Sequence, residues 1–190
     1  SYGYYTEMRI KMDLREKRTD TNYVFKGRIL NLRVDDVITP GGDAAKREIV
    51  EHRGGAGIVA VDENKMILLV EQYRAPYDEI TLEIPAGKLE EGEDPALCAG
   101  RELSEETGGT AEKIVPFGNV YPSPGYTNEV IHLFLAENVK MGEAHPDGDE
   151  FLNIKKYSVD EALDLIYKGK IKDAKTVIGI MRYALSEEKK

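Results

Sequence analysis

Two short apolar runs on either side of a polar turn constrain the fold of this chain more than any other feature. Residues 57–61 and 66–73 are mostly apolar and are separated by the polar residues 62–65. Strands that are covered on both faces have such near-continuous apolar runs, whereas a strand with one wet face alternates. The pattern therefore predicts two neighbouring strands joined by a tight turn, in a sheet with helices on both faces.

Helix signals flank and follow these strands. Asp94 is a good N-cap and Gly108 a good terminator, so a helix is predicted between them. Ser158 and Glu161 form a capping box that predicts a second helix, and residues 174–185 predict a third. Strands and helices in mixed order predict an α/β chain with a sheet sandwiched between helices.

The amino-terminal region has a different pattern. Short apolar runs broken by turn residues predict a small antiparallel β unit over residues 21–53. We expect this unit to be an extension of a main domain that spans residues 54–190. Residues 1–20 are predicted to form a flexible tail.

The charge balance excludes some partners. The chain has 190 residues, with 26 Lys and Arg against 35 Asp and Glu, and a net charge of −9. We therefore expect no nucleic-acid partner, and an acidic substrate needs a metal ion or a local arginine cluster. No apolar run is long enough to cross a membrane, so no membrane partner is expected. The single cysteine, Cys98, excludes an intrachain disulfide framework and predicts a cytoplasmic location.

Acidic residues form a stripe on the first predicted helix. Glu102, Glu105 and Glu106 lie within about 100° of one another on a helical wheel, and small residues occupy the opposite arc. Because like charges at this spacing repel, the stripe is either a solvated acidic face or a site for a divalent cation. Oxygen ligands without clustered Cys or His favour Mg²⁺ or Mn²⁺ over zinc. Arg101, one turn before Glu105, can bridge to its carboxylate.

The loop before this helix can close on the stripe. Gly87 ends a strand and Gly92 permits a turn. The chain can therefore fold back and bring Glu93 and the carbonyl of Ala86 near the carboxylates. Both groups would add oxygen atoms to the same region.

The same segment resembles the Nudix box. That box reads Gly, five residues, Glu, seven residues, Arg-Glu, an aliphatic residue, any residue, Glu-Glu, any residue, Gly and a final aliphatic residue. Leu103 fits the first aliphatic position, whereas Gly109 departs from the last one. All fixed positions match: Gly87, Glu93, Arg101, Glu102, Glu105, Glu106 and Gly108.

Further motifs resemble the ADP-ribose pyrophosphatase branch of the Nudix family. In that branch a proline about 16 residues beyond the box is associated with ADP-ribose, and Pro124 lies 16 residues beyond Gly108. The resemblance implies a Nudix-type α/β/α sandwich with a mixed sheet, and a homodimer across which the amino-terminal β unit is exchanged. The segments that carry it are 46–50, 71–74, 82–87, 123–125 with Glu129, and 149–151.

The resemblance also implies roles for single residues. Glu105 would ligate the metal or position water, and Arg101 completes the catalytic set with it. Glu150, on an acidic loop, matches the position of a general base, with Asp149 as its rival. The implied metal ligands are the carbonyl of Ala86 and the carboxylates of Glu102, Glu105 and Glu106.

Substrate contacts are implied in the same way. Arg74 would meet the phosphates of the substrate, and Arg47 or Arg53 is a weaker candidate for this role. Any of several tyrosines can stack on the base. The remaining implied substrate residues are Pro124, Gly125 and Glu129.

The predicted reaction is hydrolysis of ADP-ribose to AMP and ribose 5-phosphate with Mg²⁺, and Mn²⁺ as a possible substitute. Another nucleoside diphosphate derivative, such as ADP-glucose or NADH, is an alternative substrate because the box specifies metal and pyrophosphate only. A module that senses ADP-ribose without cleaving it is a second alternative, although every box carboxylate is present. A nucleotide-pool sanitiser or RNA decapping enzyme is disfavoured by the acidic charge and by residues 123–125.

Other polar residues are expected to be structural. Glu83, near the end of a strand, is expected to face water, and a supporting role behind the metal ligands is the alternative. Cys98 is expected to be a small packing residue because no partner base is visible. The three histidines, His52, His132 and His145, show no ligand spacing.

Overall fold

The computed structural model describes residues 13–144 and 151–189. The chain divides into two compact units. The first runs to His52 and also contains Gly125–Thr127, and the second contains Arg53–Pro124 and the rest of the chain from Asn128. Residues 1–12 of the predicted tail lie outside the described residues.

The first unit is a three-stranded antiparallel sheet. Its strands are β1 (Lys17–Lys26), β2 (Leu30–Ile38) and β3 (Ala44–His52), in the order β1-β2-β3. Residues 17–20 therefore belong to a strand, which corrects the predicted tail boundary at residue 20. These residues are mostly polar and exposed, so they lack the apolar pattern that identifies a strand from sequence.

The second unit contains a mixed sheet and three helices. The central strand order is β11-β5-β4-β10-β8, with β6 paired to β5, β7 to β4 and β9 to β10. The pair β4 and β10 is parallel, and the other pairs are antiparallel. The elements are β4 (Gly55–Asp62), β5 (Ile67–Arg74), β6 (Glu79–Glu83), β7 (Ala86–Lys88), α1 (Pro95–Thr107), β8 (Gly109–Thr110), β9 (Val115–Val120), β10 (Ile131–Met141), β11 (Asn153–Tyr157), α2 (Val159–Tyr167) and α3 (Ala174–Glu187).

Helices cover both faces of this sheet, as the apolar runs predict. Every residue of β4 is buried. Val59 belongs to a core cluster that includes Ile180 of α3, whereas its neighbour Ile58 belongs to a second cluster that includes Leu103 of α1. Successive side chains of a strand point to opposite faces, so a strand covered on both faces must be apolar at every position. The predicted α/β/α sandwich with a mixed sheet and a small amino-terminal antiparallel sheet is confirmed.

The ends of the helices follow the capping signals in the sequence. The Asp94 side chain accepts a hydrogen bond from the Ala96 N–H at 2.8 Å, and Gly108 ends α1 in the left-handed conformation with φ of 67°. Ser158 and Glu161 make both bonds of the capping box at the start of α2. No helix of the described residues is long and apolar enough to cross a membrane.

Two strands of the sheet lack a clear signal in the sequence. Strand β11 pairs with β5 at an edge of the sheet and carries polar, mostly exposed residues. Strand β9 is short and contains Pro116 and Gly118. Strands at the edge of a sheet tolerate polar residues, proline and glycine, because one side of such a strand has no neighbouring strand to pair with.

Candidate functional site

The acidic stripe of α1 lies against the short strand β7. The carboxylate of Glu102 occupies the space that a Cβ atom on Gly87 would fill. The carboxylate of Glu106 accepts a hydrogen bond from the Ala86 N–H at 3.1 Å through Oε2. Two carboxylates one helical turn apart are thus held against consecutive residues of β7, and both side chains are buried.

Arg101 joins three carboxylates at the exposed edge of this stripe. Its Nη1 donates to Glu102 Oε1 at 2.7 Å and to Glu105 Oε2 at 2.9 Å, and its Nε donates to Glu93 Oε1 at 3.0 Å. The hydrogen bond to Glu93, with those to the other two acids, raises the pKa of Arg101 well above its usual range. The predicted bridge to Glu105 and the predicted approach of Glu93 to the stripe are confirmed.

The turn before α1 explains how Glu93 reaches Arg101. Gly92 has φ of 76°, a conformation that side-chain-bearing residues rarely adopt. The Glu90 N–H donates to Glu93 Oε2 at 2.9 Å and closes the turn. The loop is therefore folded back on the helix.

The stripe carries more negative than positive charge. One guanidinium contacts Glu93, Glu102 and Glu105, while Glu106 lies deeper against β7. Within residues 13–144 and 151–189, no three His, Cys, Asp or Glu side chains form a ready cluster for a metal ion. The contacts of Arg101 account for part of this, since its Nη1 lies between Glu102 and Glu105. The donors available here are nonetheless hard oxygens, which suit a hard dication rather than zinc.

Cys98 lies beside the stripe and is buried. The side chain is fully buried, with Sγ 3.6 Å from the Lys88 carbonyl oxygen. Burial, together with the negative charges of Glu93 and Glu102, raises the pKa of the Cys98 thiol to about 12. The thiol is therefore protonated at neutral pH, which agrees with its predicted role as a packing residue.

A second ionic cluster lies at the junction of β5, β6 and α3. The prediction that Glu83 faces water is wrong, because the side chain is almost fully buried. Arg74 binds it in a bidentate manner, with Nε to Oε1 and Nη2 to Oε2 both at 2.7 Å. Thr81 Oγ1 donates to Oε1 at 2.6 Å, and Lys175 Nζ donates to Oε2. Four donors thus satisfy one buried carboxylate.

Burial alone opposes the ionisation of Glu83, but Arg74 and Lys175 outweigh it. Their hydrogen bonds and positive charges lower the pKa of Glu83 from 4.5 to about 2. Because the folded-state pKa is below the unfolded one, the charged carboxylate stabilises the fold above pH 4.5, and this contribution is lost as the pH falls toward 2.

We predict that Glu83→Gln lowers the free energy of unfolding by about 3 kcal/mol at pH 7, because it leaves two cations without their buried counter-charge. The difference in the free energy of unfolding between the variant and the wild type is expected to become smaller as the pH falls from 4.5 toward 2. Urea unfolding at a series of pH values measures both quantities. The control is Glu79→Gln, whose exposed pair with Lys172 is expected to contribute less than about 1 kcal/mol. If this difference in the free energy of unfolding does not change with pH, the prediction that Glu83 is ionised in the folded protein is wrong.

Arg74 is also within electrostatic reach of the acidic stripe. Its pKa is raised, chiefly by the hydrogen bond to Glu83, and the charge of Glu106 contributes to the shift. Of the predicted metal ligands on α1, Glu106 is thus the one whose charge acts on Arg74. Lys175 has no signal in the sequence, because a single lysine at the start of a helix does not reveal a buried partner 92 residues away.

The other predicted site residues are exposed, half-buried, paired within the first unit, or outside the described residues. Pro124 and Gly125 are exposed in the loop after β9, and Glu129 is half-buried before β10. Arg47, on β3, forms an ion pair with Glu16 within the first unit. The proposed base Glu150, its rival Asp149 and the histidine His145 lie outside the described residues.

Comparison with known families decides the identity of the second unit. Residues 51–178 match the NUDIX domain family. The chain belongs to the Nudix hydrolase family. Residues 16–50 match the nucleoside diphosphate sugar hydrolase N-terminal domain. The family resemblance read from the box is therefore confirmed, and Nudix hydrolases generally use divalent metal ions.

Two relatives are similar to almost the whole chain. A methanol dehydrogenase activator from Bacillus methanolicus is 44% identical over 90% of this chain and 94% of its own length. An ADP-ribose pyrophosphatase from Bacillus subtilis (strain 168) is 42% identical over 92% of this chain and 95% of its own length. The crystal structure of an ADP compounds hydrolase, at 19% identity, superposes with a TM-score of 0.80 over 93% of this chain and 96% of that one, which supports the fold.

Proposed function

We propose that this protein hydrolyses the pyrophosphate bond of ADP-ribose to give AMP and ribose 5-phosphate, with Mg²⁺ as the cofactor and Mn²⁺ as a substitute. The observation that carries the proposal is the placement of Glu102 and Glu106 against the consecutive residues Gly87 and Ala86. The choice of ADP-ribose is supported by the 42% identical relative of that name.

The residues at the stripe fit a hard dication. The Ala86 carbonyl and the carboxylates of Glu102, Glu105 and Glu106 would hold it, and all are oxygen donors in a region with excess negative charge. When bound, the cation supplies charge neutralisation of the diphosphate and acidification of water. Arg101 orients Glu102 and Glu105, and the Ala86 N–H orients Glu106.

The remaining roles are proposed for groups around the stripe. Arg74, whose side chain is 39% exposed, places a positive charge where the diphosphate would bind. Glu150 is proposed as the general base, with Asp149 as its rival. Pro124, Gly125 and Glu129 are proposed to contact the substrate, and Arg47 is the weaker candidate.

The assembly of the protein is also part of the proposal. We propose a homodimer in which the amino-terminal β unit is exchanged, supported by the family match of residues 16–50 and by large exposed apolar side chains on the first unit. Val24, Phe25 and Ile29 are each at least 50% exposed, and exposed apolar groups of this kind are typical of protein contacts. The cytoplasmic location stays a prediction.

Another nucleoside diphosphate sugar is the second candidate substrate. A GDP-mannose pyrophosphatase from Cronobacter sakazakii (strain ATCC BAA-894) is 35% identical over 70% of this chain and 74% of its own length. The box recognises the diphosphate and not the base or the sugar. The preference between these substrates therefore depends on residues outside α1.

Turnover of ADP-ribose, ADP-glucose, GDP-mannose and NADH at a fixed Mg²⁺ concentration tests the proposal. We expect kcat/KM for ADP-ribose to exceed that for each of the others by about tenfold or more, a difference of about 1.4 kcal/mol. Chromatography of the released nucleotide identifies the bond that is cleaved. A preference for GDP-mannose would overturn the substrate assignment, and tight binding of ADP-ribose without release of AMP would support a sensor instead.

A further inference from the structure

Lys175 is a buried cation with no role in the chemistry described so far. Its side chain is 8% exposed, and its Nζ contacts the carboxylates of Glu83 and Asp173. Glu83 is in turn the carboxylate that binds Arg74 through two parallel hydrogen bonds. Lys175 and Arg74 therefore bind the same carboxylate, and Arg74 is the residue that is proposed to bind the phosphates.

The start of α3 fixes the position of Lys175. Asp173 is the N-cap of α3, and its Oδ2 accepts from the N–H and the Oγ1 of Thr176 and from Lys175 Nζ at 3.0 Å. Thr176 Oγ1 also accepts a hydrogen bond from the Ile84 N–H at 2.9 Å, which ties the helix to the chain just after β6. The ammonium group thus has little freedom to move away from Glu83.

The charges of the cluster are unequally exposed. Arg74 and Glu83 alone form a neutral pair, which attracts a diphosphate weakly. Lys175 shares the Glu83 carboxylate, so these three groups carry one positive charge, and Asp173, 3.0 Å from Lys175 Nζ, brings the sum for the four groups to zero. Asp173 is the N-cap of α3, where the helix dipole compensates part of its negative charge, although that charge also acts on Arg74. The side chain of Arg74, at 39% exposed, is the part of the cluster that solvent and ligands reach.

The geometry of the guanidinium also leaves a donor available. Arg74 uses Nε and Nη2 for Glu83, and these two bonds fix the plane of the group. Nη1 makes no hydrogen bond within the part of the chain that the structure describes. A guanidinium that is held in one plane by one carboxylate loses less conformational entropy when it binds a phosphate oxygen.

We propose that Lys175 is a positioning residue for substrate binding: it shares the charge of Glu83, so that Arg74 is held in a fixed plane by a carboxylate that neutralises it less completely, and presents its guanidinium to the diphosphate of the substrate. This inference rests on the proposed function, because it assumes that a nucleoside diphosphate sugar binds beside the α1 stripe. Lys175 itself does not touch the substrate. It acts through Glu83 and Arg74.

The test is Lys175→Met, which removes the charge but keeps the length of the side chain. We expect KM for ADP-ribose to rise about tenfold and kcat to stay within about threefold, since the lost interaction affects binding rather than the reacting atoms. Lys175→Arg is expected to restore KM. The matched control is Lys172→Met, which removes a lysine from the same junction that pairs with the exposed Glu79, and its KM is expected to be unchanged.

A double-mutant cycle separates positioning from a purely structural role. In an Arg74→Gln background, Lys175→Met is expected to change KM by less than about twofold, because the residue through which it acts is absent. Thermal melting of each variant reports stability separately. A lower melting temperature with an unchanged KM, or equal effects on KM with and without Arg74, would overturn the proposal. If Lys175→Met does not fold, Lys175→Gln removes the charge while keeping a polar group that can donate to Glu83, and KM is expected to rise.

Calorimetric binding in EDTA separates failure of this inference from failure of the proposed function. We expect the Kd for ADP-ribose to rise about tenfold in Lys175→Met and to be unchanged in Lys172→Met. If the wild type binds but does not cleave ADP-ribose, the proposed function fails while a weaker Kd in Lys175→Met still supports the role of Lys175. If the wild type prefers another nucleoside diphosphate sugar, the cycle is measured with that compound, since all share the diphosphate. If Lys175→Met does not change the Kd for that compound, the proposed positioning role of Lys175 is wrong.

Discussion

Replacing Glu106 by Gln is expected to lower kcat for ADP-ribose hydrolysis by about 1,000-fold while the protein stays folded. The amide oxygen of Gln can still accept the hydrogen bond from the Ala86 N–H, so the position of the side chain is kept. The negative charge is lost, and a neutral amide is a much weaker partner for a hard dication than a carboxylate is. The substitution therefore separates the charge of Glu106 from its place in the fold.

The measurement is AMP release at saturating Mg²⁺, together with far-UV circular dichroism and thermal melting. The control is Glu112→Gln, because the side chain of Glu112 is 94% exposed and lies outside the stripe. This variant is expected to keep wild-type turnover. Mg²⁺-dependent activity close to that of the wild type in Glu106→Gln would remove the basis for assigning Glu106 as a metal ligand.

The helix that carries this residue was predictable because its signals are local. Asp94 and Gly108 fix where α1 begins and ends, and the 3.6-residue period then decides which acids share a stripe. The burial of Glu102 and Glu106 against β7 did not follow from this period, because the buried side of α1 includes these two acids together with Ala99 and Leu103. Arg101, by contrast, was predictable, since its partner Glu105 is one turn away.

The second cluster could not be predicted in this way because it is held by contacts distant in sequence. Glu83 lies between the apolar residues Leu82 and Ile84, a position that is typical of a strand with one wet face. Its burial results from Arg74 on the neighbouring strand and Lys175 on a helix 92 residues further along. No spacing rule within a single helix or strand connects these three residues. Only the pairing of β5 with β6 and the packing of α3 bring them together.

The fold was therefore more predictable than the electrostatics of the site. Apolar runs specify burial of β4 and of the first half of β5 on both faces, and these runs are visible in the sequence. Whether a given carboxylate is solvated, paired with arginine or available to a metal depends on which charged side chains the tertiary structure places beside it. Glu83 and Glu106 illustrate the difference, since one is held by Arg74 and Lys175 and the other by the Ala86 N–H.

A methyl group at Gly87 tests the close contact between β7 and α1 directly. A Cβ atom built on Gly87 would overlap the carboxylate of Glu102, so Gly87→Ala must displace that carboxylate. Because the displaced atoms are at the end of a flexible side chain, we expect the free energy of unfolding to change by only about 1 kcal/mol. Turnover is expected to fall about 100-fold, since a shift of about 1 Å in a group that positions the reacting atoms has an effect of this size.

Kinetics with ADP-ribose and urea unfolding measure the two effects of Gly87→Ala independently. Gly41→Ala is the matched control, because a Cβ atom there would lie 3.6 Å from the nearest side-chain atom, Asp43 Oδ2, at an ordinary contact distance. Both its activity and its stability are expected to stay near those of the wild type. Loss of stability and activity in parallel in Gly87→Ala would mean that the glycine is needed for folding alone. Loss of turnover with a stable fold would instead mean that the family's box requires glycine at this position because the carboxylate of Glu102 needs the space.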